Sequence, residues 1–93
     1  MKNAEALEVL RGVLLPYRGR PYSELVGLIT ESVTTTVKGR SGVAYQVKIH
    51  AFWDDRPNGN LRVMGDVDDS GWRAFFPLGE DFIMAPDGTF VGE

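Results

Sequence analysis

Val43-Ala44-Tyr45-Gln46-Val47-Lys48-Ile49-His50-Ala51-Phe52-Trp53 decides the fold. Its period is two. Val43, Tyr45, Val47, Ile49, Ala51 and Trp53 point one way, and Ala44, Gln46, Lys48, His50 and Phe52 the other. Successive side chains of a strand project to opposite faces, so this run is a strand with one face buried. The neighbouring segments follow the same rule. Upstream, from Ser32 to Lys38, Val33, Thr35 and Val37 alternate with Thr34, Thr36 and Lys38, in a β-branched run that favours a strand. Gly39-Arg40-Ser41-Gly42 between the two is a hairpin loop. Downstream, Asp54 to Asn60 holds the turn signals Pro57 and Asn58-Gly59. A third strand, Leu61 to Asp68, then sets Leu61, Val63 and Val67 inward and Arg62, Met64 and Asp66 outward. Asp69-Ser70-Gly71 turns the chain into a fourth strand over residues 72–76, and residues 82–91 read as a terminal hairpin around Pro86-Asp87-Gly88.

The N-terminal third has the other period. A helix is expected over about residues 4–15, with Leu7, Leu10 and Leu14 as its apolar stripe and Val13 beside it. Asn3 is a suitable N-cap, Glu5 suits the positive end of the dipole, and Pro16 stops the helix. Residues 17–20 form a linker. A second, shorter helix follows over about residues 22–29, with Tyr22, Leu25, Val26 and Ile29 on one side. Strands joined by hairpins make an antiparallel meander, and its apolar face needs a cover. The expected fold is therefore α+β: a single domain with two N-terminal helices on one face of a four- to five-stranded antiparallel sheet.

Composition narrows the function classes. Ninety-three residues make one domain, and one this small buries only about 60–65% of its extended surface. There is no cysteine, which excludes disulfides and thiolate metal sites and agrees with a reducing compartment. The first fifteen residues hold Lys2, Glu5, Glu8 and Arg11, too charged for a secretory signal. No apolar run approaches the roughly 20 residues of a membrane span. A cytoplasmic protein is expected, and the chain from Met1 to Glu93 reads as a complete small protein. Its net charge of -3 makes it a poor generic binder of nucleic acid or anionic membrane.

Catalysis finds little footing. There is no cysteine, and the single histidine, His50, stands on the outward face with no serine expected beside it. Gly39-Arg40-Ser41-Gly42 is too short for a phosphate loop and leads into a strand. A two-carboxylate mechanism needs a cleft, which a meander does not supply. Trp53 and Trp72 suggest sugar stacking, but both fall on the inward face, where core packing is favoured. The chain does not read as an enzyme.

Two features remain. The outward face carries Thr34, Thr36, Lys38, Gln46, Lys48, His50, Phe52, Arg62, Met64, Asp66, Arg73 and Phe75. Lys38, Lys48, Arg62 and Arg73 make it locally basic, and Phe52, Met64 and Phe75 add apolar surface that a solvated face does not require. Either the C-terminal tail folds over these three, or the face binds something. In the second case Lys48, His50, Phe52, Arg62, Met64, Arg73 and Phe75 are the candidate partner-binding residues. Single-stranded RNA would suit aromatics on a basic sheet, but the glycine-flanked RNP pattern is missing and the chain is acidic.

The second feature is Asp66-Val67-Asp68-Asp69-Ser70-Gly71-Trp72. Asp66, Asp68, Ser70 and Gly71 fit positions one, three, five and six of a calcium loop. Arg73 at position eight and Pro77 at position twelve exclude an EF-hand. A looser Ca²⁺ site on Asp66, Asp68 and Ser70 stays open beside a plain β-turn. Asp54 and Asp55 are expected at the other end of the third strand, roughly 25 Å away, too far to complete it. Lys38 and Arg40 share the sheet end of Asp68 and Asp69, so ion pairs are expected there.

The runs Phe52-Trp53-Asp54-Asp55, Asn60-Leu61-Arg62-Val63-Met64-Gly65, Gly71-Trp72-Arg73-Ala74-Phe75 and Asp81-Phe82-Ile83-Met84-Ala85-Pro86-Asp87-Gly88 resemble small bacterial proteins that carry no assigned function. The resemblance covers the C-terminal half to two-thirds of the chain. It implies a bacterial, intracellular origin and supplies no catalytic residues. The expected function is a non-catalytic protein–protein interaction module, of which an antitoxin- or immunity-like role is one form by analogy. The alternative is a divalent-cation or small-ligand binder at Asp66–Gly71. Homodimerisation through the outward face is a third reading.

Overall fold

The computed structural model describes residues 3–68 and 78–93. Helix α1 spans Asn3–Leu14, one residue earlier than the apolar spacing predicts. Pro16 does end the α-helix, but the chain continues through a 3₁₀ turn, Leu15–Gly19. Tyr17 within that turn is buried, so the expected linker is part of the core. The second helical segment divides into α2, Tyr22–Val26, and a 3₁₀ turn, Gly27–Ile29. Strands β1 (Val33–Lys38), β2 (Ala44–Trp53), β3 (Leu61–Asp68) and β4 (Leu78–Met84) follow. They pair in the order β1-β2-β3-β4, each antiparallel to the next. The fold is the expected α+β arrangement of two N-terminal helices against an antiparallel meander.

The fourth strand of this sheet is β4, whose end the sequence reading places in a separate terminal hairpin. A period of two is hidden there, because the buried Phe82 and Met84 share one phase with Leu78 and the charged Glu80. The expected strand over residues 72–76 lies outside the described residues. The tail does turn at Pro86-Asp87-Gly88, and Met84 bridges back to Phe90.

The core forms between the helices and one sheet face. From α1, Ala6, Leu10 and Leu14 lie on one helical stripe, and all three are buried. They meet Val47 and Ile49 of β2, Leu61, Val63 and Val67 of β3, and Phe82 of β4. Helix α1 lies over β3 and β4, while the second helical segment covers β2. Gly65 lets the layers approach. A Cβ there would stand 2.6 Å from Leu10 Cδ1 and 3.1 Å from Ile49 Cδ1. The bare position in β3 is the socket into which Leu10 fits.

Glu5 is the exception in this interior. Only 3% of it is exposed. Its carboxylate accepts hydrogen bonds from Ser41 N (2.9 Å), Ser41 Oγ (2.6 Å) and Tyr45 Oη (2.7 Å). It therefore ties α1 to the β1–β2 hairpin loop. Gly39 is needed beside it, since a Cβ there would come within 2.7 Å of Glu5 Oε1. The helix dipole accounts for an acid in a first turn, but the burial of this one comes from the loop that folds over it.

Candidate functional site

Among the described residues no helix lies on the outward sheet face. Strand register sets its side chains in rows. Thr36, Gln46 and Asp68 form one row; Thr34, Lys48, Asp66 and Gly79 the next; then His50, Met64 and Asp81; then Phe52, Arg62 and Ile83. Of the candidate partner-binding residues, Lys48, His50, Phe52, Arg62 and Met64 are thus brought together. Arg73 and Phe75 lie outside the described residues.

The expected basic character is offset at Arg62. Arg62 donates Nε and Nη2 to Asp54 Oδ1 at 3.0 and 2.8 Å and Nη1 to Asp81. These bonds, with Asp54 first and Asp81 second, hold its guanidinium pKa above the ordinary value. His50 Nε2 lies 3.0 Å from Asp66 Oδ2, and Asp66 also stands opposite Lys48 in the register. Arg62 and His50 are therefore matched by carboxylates, while Lys38 and Lys48 stand exposed. Asp81 was missed because β4 was missed, and Asp54 because it reads as loop.

The apolar residues remain presented. Phe52 is 42% exposed. Its ring stacks on His50 with centroids 6.4 Å apart and planes 30° apart. Met64, diagonal to it, and Ile83, beyond Arg62 in its row, are half-buried. The C-terminal tail goes elsewhere. Phe90 meets the inward-facing Phe82 edge-on at 5.8 Å, Arg18 lies over the Phe90 ring at 4.1 Å, and Arg18 pairs with Glu93. The tail thus wraps the β4 end of the core and leaves Phe52 open. Trp53 packs inward, 6.5 Å from Tyr22 by ring centroids.

Asp66 and Asp68 stand inside β3, two residues apart on the same face. Extended backbone projects them in parallel, whereas a calcium loop must curl its ligands around one point. Thr34, Gln46, Lys48, Asp66 and Asp68 line a shallow depression at this end of the face. Ser70 lies outside the described residues. Among the described residues no group of three or more His, Asp or Glu is placed to hold a metal ion. Asp54 and Asp55 are at the far end of β3, as expected. Asp54 holds Arg62, and Asp55 Oδ1 accepts from the amides of Arg56 (2.8 Å) and Asn60 (2.9 Å), closing the β2–β3 turn. Arg40 pairs with Glu8 of α1, not with the Asp68 end of the sheet.

His50 and Asp66 have the form of a base and its orienting carboxylate. Among the described residues, however, the side-chain hydrogen bond of His50 goes to Asp66 alone, with no nucleophile bonded to it. Among the described residues no helix is long and apolar enough to cross a membrane. Compared with known proteins, the chain matches no family model, no curated protein and no solved structure.

Proposed function

We propose that this chain is a non-catalytic binding module that docks a protein partner on its open sheet face, with Phe52 and Met64 at the centre. The observation that carries the reading is the exposure of Phe52 beside Arg62 and His50, whose side chains already meet carboxylates. Phe52 stands outside the core cluster, and its exposed part is apolar surface that a solvated face does not require. The paired Arg62 in its row costs less to cover than a lone charge would. The partner's matching surface is apolar at its centre and polar at its rim, with little net charge demanded. Masking a partner, as an antitoxin or immunity protein does, is one form of this role.

Cross-linked capture with the wild type and Phe52→Glu tests it. The expected result is one protein held by the wild type and lost with Phe52→Glu, while circular dichroism and melting stay native. Unfolding of Phe52→Glu would make the residue core and sink the reading. Equal capture by both chains would move the interface elsewhere.

A further inference from the structure

The two edges of the described sheet are unlike. At β4, Val91 N donates to Ile83 O at 2.9 Å and Ala85 N to Thr89 O at 2.8 Å, so the tail covers one end of that edge. Glu80 and Asp81 add charge to the rest. Strand β1 has no such cover, and its one charge, Lys38, stands at its end. Among the described residues no strand pairs with its outer edge. Val33-Thr34-Thr35-Thr36-Val37 contains no charge, proline or glycine. Natural sheets usually guard such an edge, and an unguarded one is a template for another strand.

The register tells which amides face outward. Gly39 N donates to Val43 O at 2.8 Å at the hairpin end. Hydrogen-bonded and non-bonded pairs alternate along an antiparallel ladder. With Val37 opposite Tyr45 and Thr35 opposite Val47, residues 33, 35 and 37 bond to β2. The backbone groups of Thr34, Thr36 and Lys38 are thus aimed away from the sheet.

We propose that β1 pairs with β1 of a second copy of this chain, antiparallel about a two-fold axis at Thr35, to give a continuous eight-stranded sheet. The occupant follows from the sequence of the edge. Val-Thr-Thr-Thr-Val reads the same in both directions, and an antiparallel two-fold partner reads it in reverse. Centred on Thr35, Thr34 meets Thr36 of the second copy with both outward backbone groups in bonding register. On the inner face Val33, 39% exposed in one copy, meets Val37 of the other. Lys38 falls opposite Ser32 of the second copy, so each end of the ladder closes on a polar pair. A partner strand of unrelated sequence would have to supply that whole pattern by itself. Because the axis runs perpendicular to the sheet, both open faces point the same way, and the two Phe52 patches lie on one surface.

Sedimentation equilibrium and amide exchange between about 10 µM and about 1 mM test the pairing. The expected result is a reversible dimer, with exchange at Thr34 and Thr36 slowing as concentration rises. Thr36→Pro removes an amide that the folded monomer does not use, as proline is tolerated on an edge strand. It should weaken the dimer at least about 10-fold. Should that variant fold poorly, exchange in the wild type decides: slowing at Thr34 and Thr36 with rising concentration, and not at Thr35, places the contact on the outer edge of β1. A monomer throughout the range overturns the proposal. So does a dimer that ignores Thr36→Pro and is broken by Phe52→Glu, which would place association on the open face.

Discussion

Strand β2 has two faces made from neighbouring residues. Val47 and Ile49 are wholly buried, and Ala51 nearly so. Between them Lys48 and Phe52 are exposed and His50 is half-buried. The inner face is held by shape: Leu10 occupies the space that Gly65 leaves, and apolar neighbours surround it. The outer face is held by pairing: Arg62 lies between two aspartates and His50 on a third. Close packing tolerates little change in volume, whereas exposed ion pairs tolerate a good deal. The inner face should therefore set stability, and the outer face should be free to serve binding.

The largest effects should come from the inner face. Leu10→Ala should cost about 3–5 kcal/mol in denaturant unfolding, as a fully buried leucine leaves a cavity. Gly65→Ala should cost about 1–3 kcal/mol by overpacking. Combined, the two should cost clearly less than their sum, since removal of Leu10 makes room for the added methyl group. Strict additivity would break the picture of Leu10 seated in the Gly65 gap.

Glu5→Ala comes next. It would strand the amide and hydroxyl of Ser41 and the hydroxyl of Tyr45, at about 1–3 kcal/mol. Tyr45→Phe removes one of those bonds and should cost about 0.5–1.5 kcal/mol. On the outer face, Arg62→Ala should barely move the unfolding midpoint despite its two carboxylate partners, because solvent screens the pairs. If Arg62→Ala proved as costly as Leu10→Ala, the contrast between the faces would fail.

Much of the inner face could be read in advance, because one physical rule, apolar alternation, writes it in a single stretch. The ten residues of β2 carry it almost unbroken. The rule failed at β4, where Glu80 interrupts the inward phase. That position lies at the sheet margin, and Glu80 turns to Arg11 of α1 with Oε1 2.7 Å from Nη2. Burial of Glu5 was equally hidden, since its partners Ser41 and Tyr45 lie 36 and 40 residues away. The outer face was legible as a set of residues but not as a charge balance. Which carboxylate meets Arg62 depends on strand register and on a loop, and neither is local. Phe52 was legible as outward, but the path of the tail, which leaves it open, was not.

The smallest effect concerns turns that belong to neither face. Asp55 is held below the usual carboxylate range by the Arg56 amide and then the Asn60 amide. Asp87 is held down by the Thr89 hydroxyl and then its amide, and Glu93 by Arg18. In each case the charged form is the one bonded, so the folded state binds protons less readily than the unfolded chain. The stabilisation is complete above the unfolded carboxyl range near pH ~4 and fades as pH falls through the lower folded values. All three groups are exposed, so solvent screens the effect and the loss should be local. Amides of Asn60 and Thr89 should lose their bonded shifts on acidification while those of Val47 and Val63 hold. Asp55→Asn keeps an oxygen to accept the two amide bonds but cannot titrate. It should leave the neutral-pH midpoint nearly unchanged and flatten the acid response at Asn60 alone. Simultaneous loss at Asn60 and Val63 would mean that the β2–β3 turn and the packed inner face melt as one unit, and that the packed face is less independent of its margins than its geometry implies.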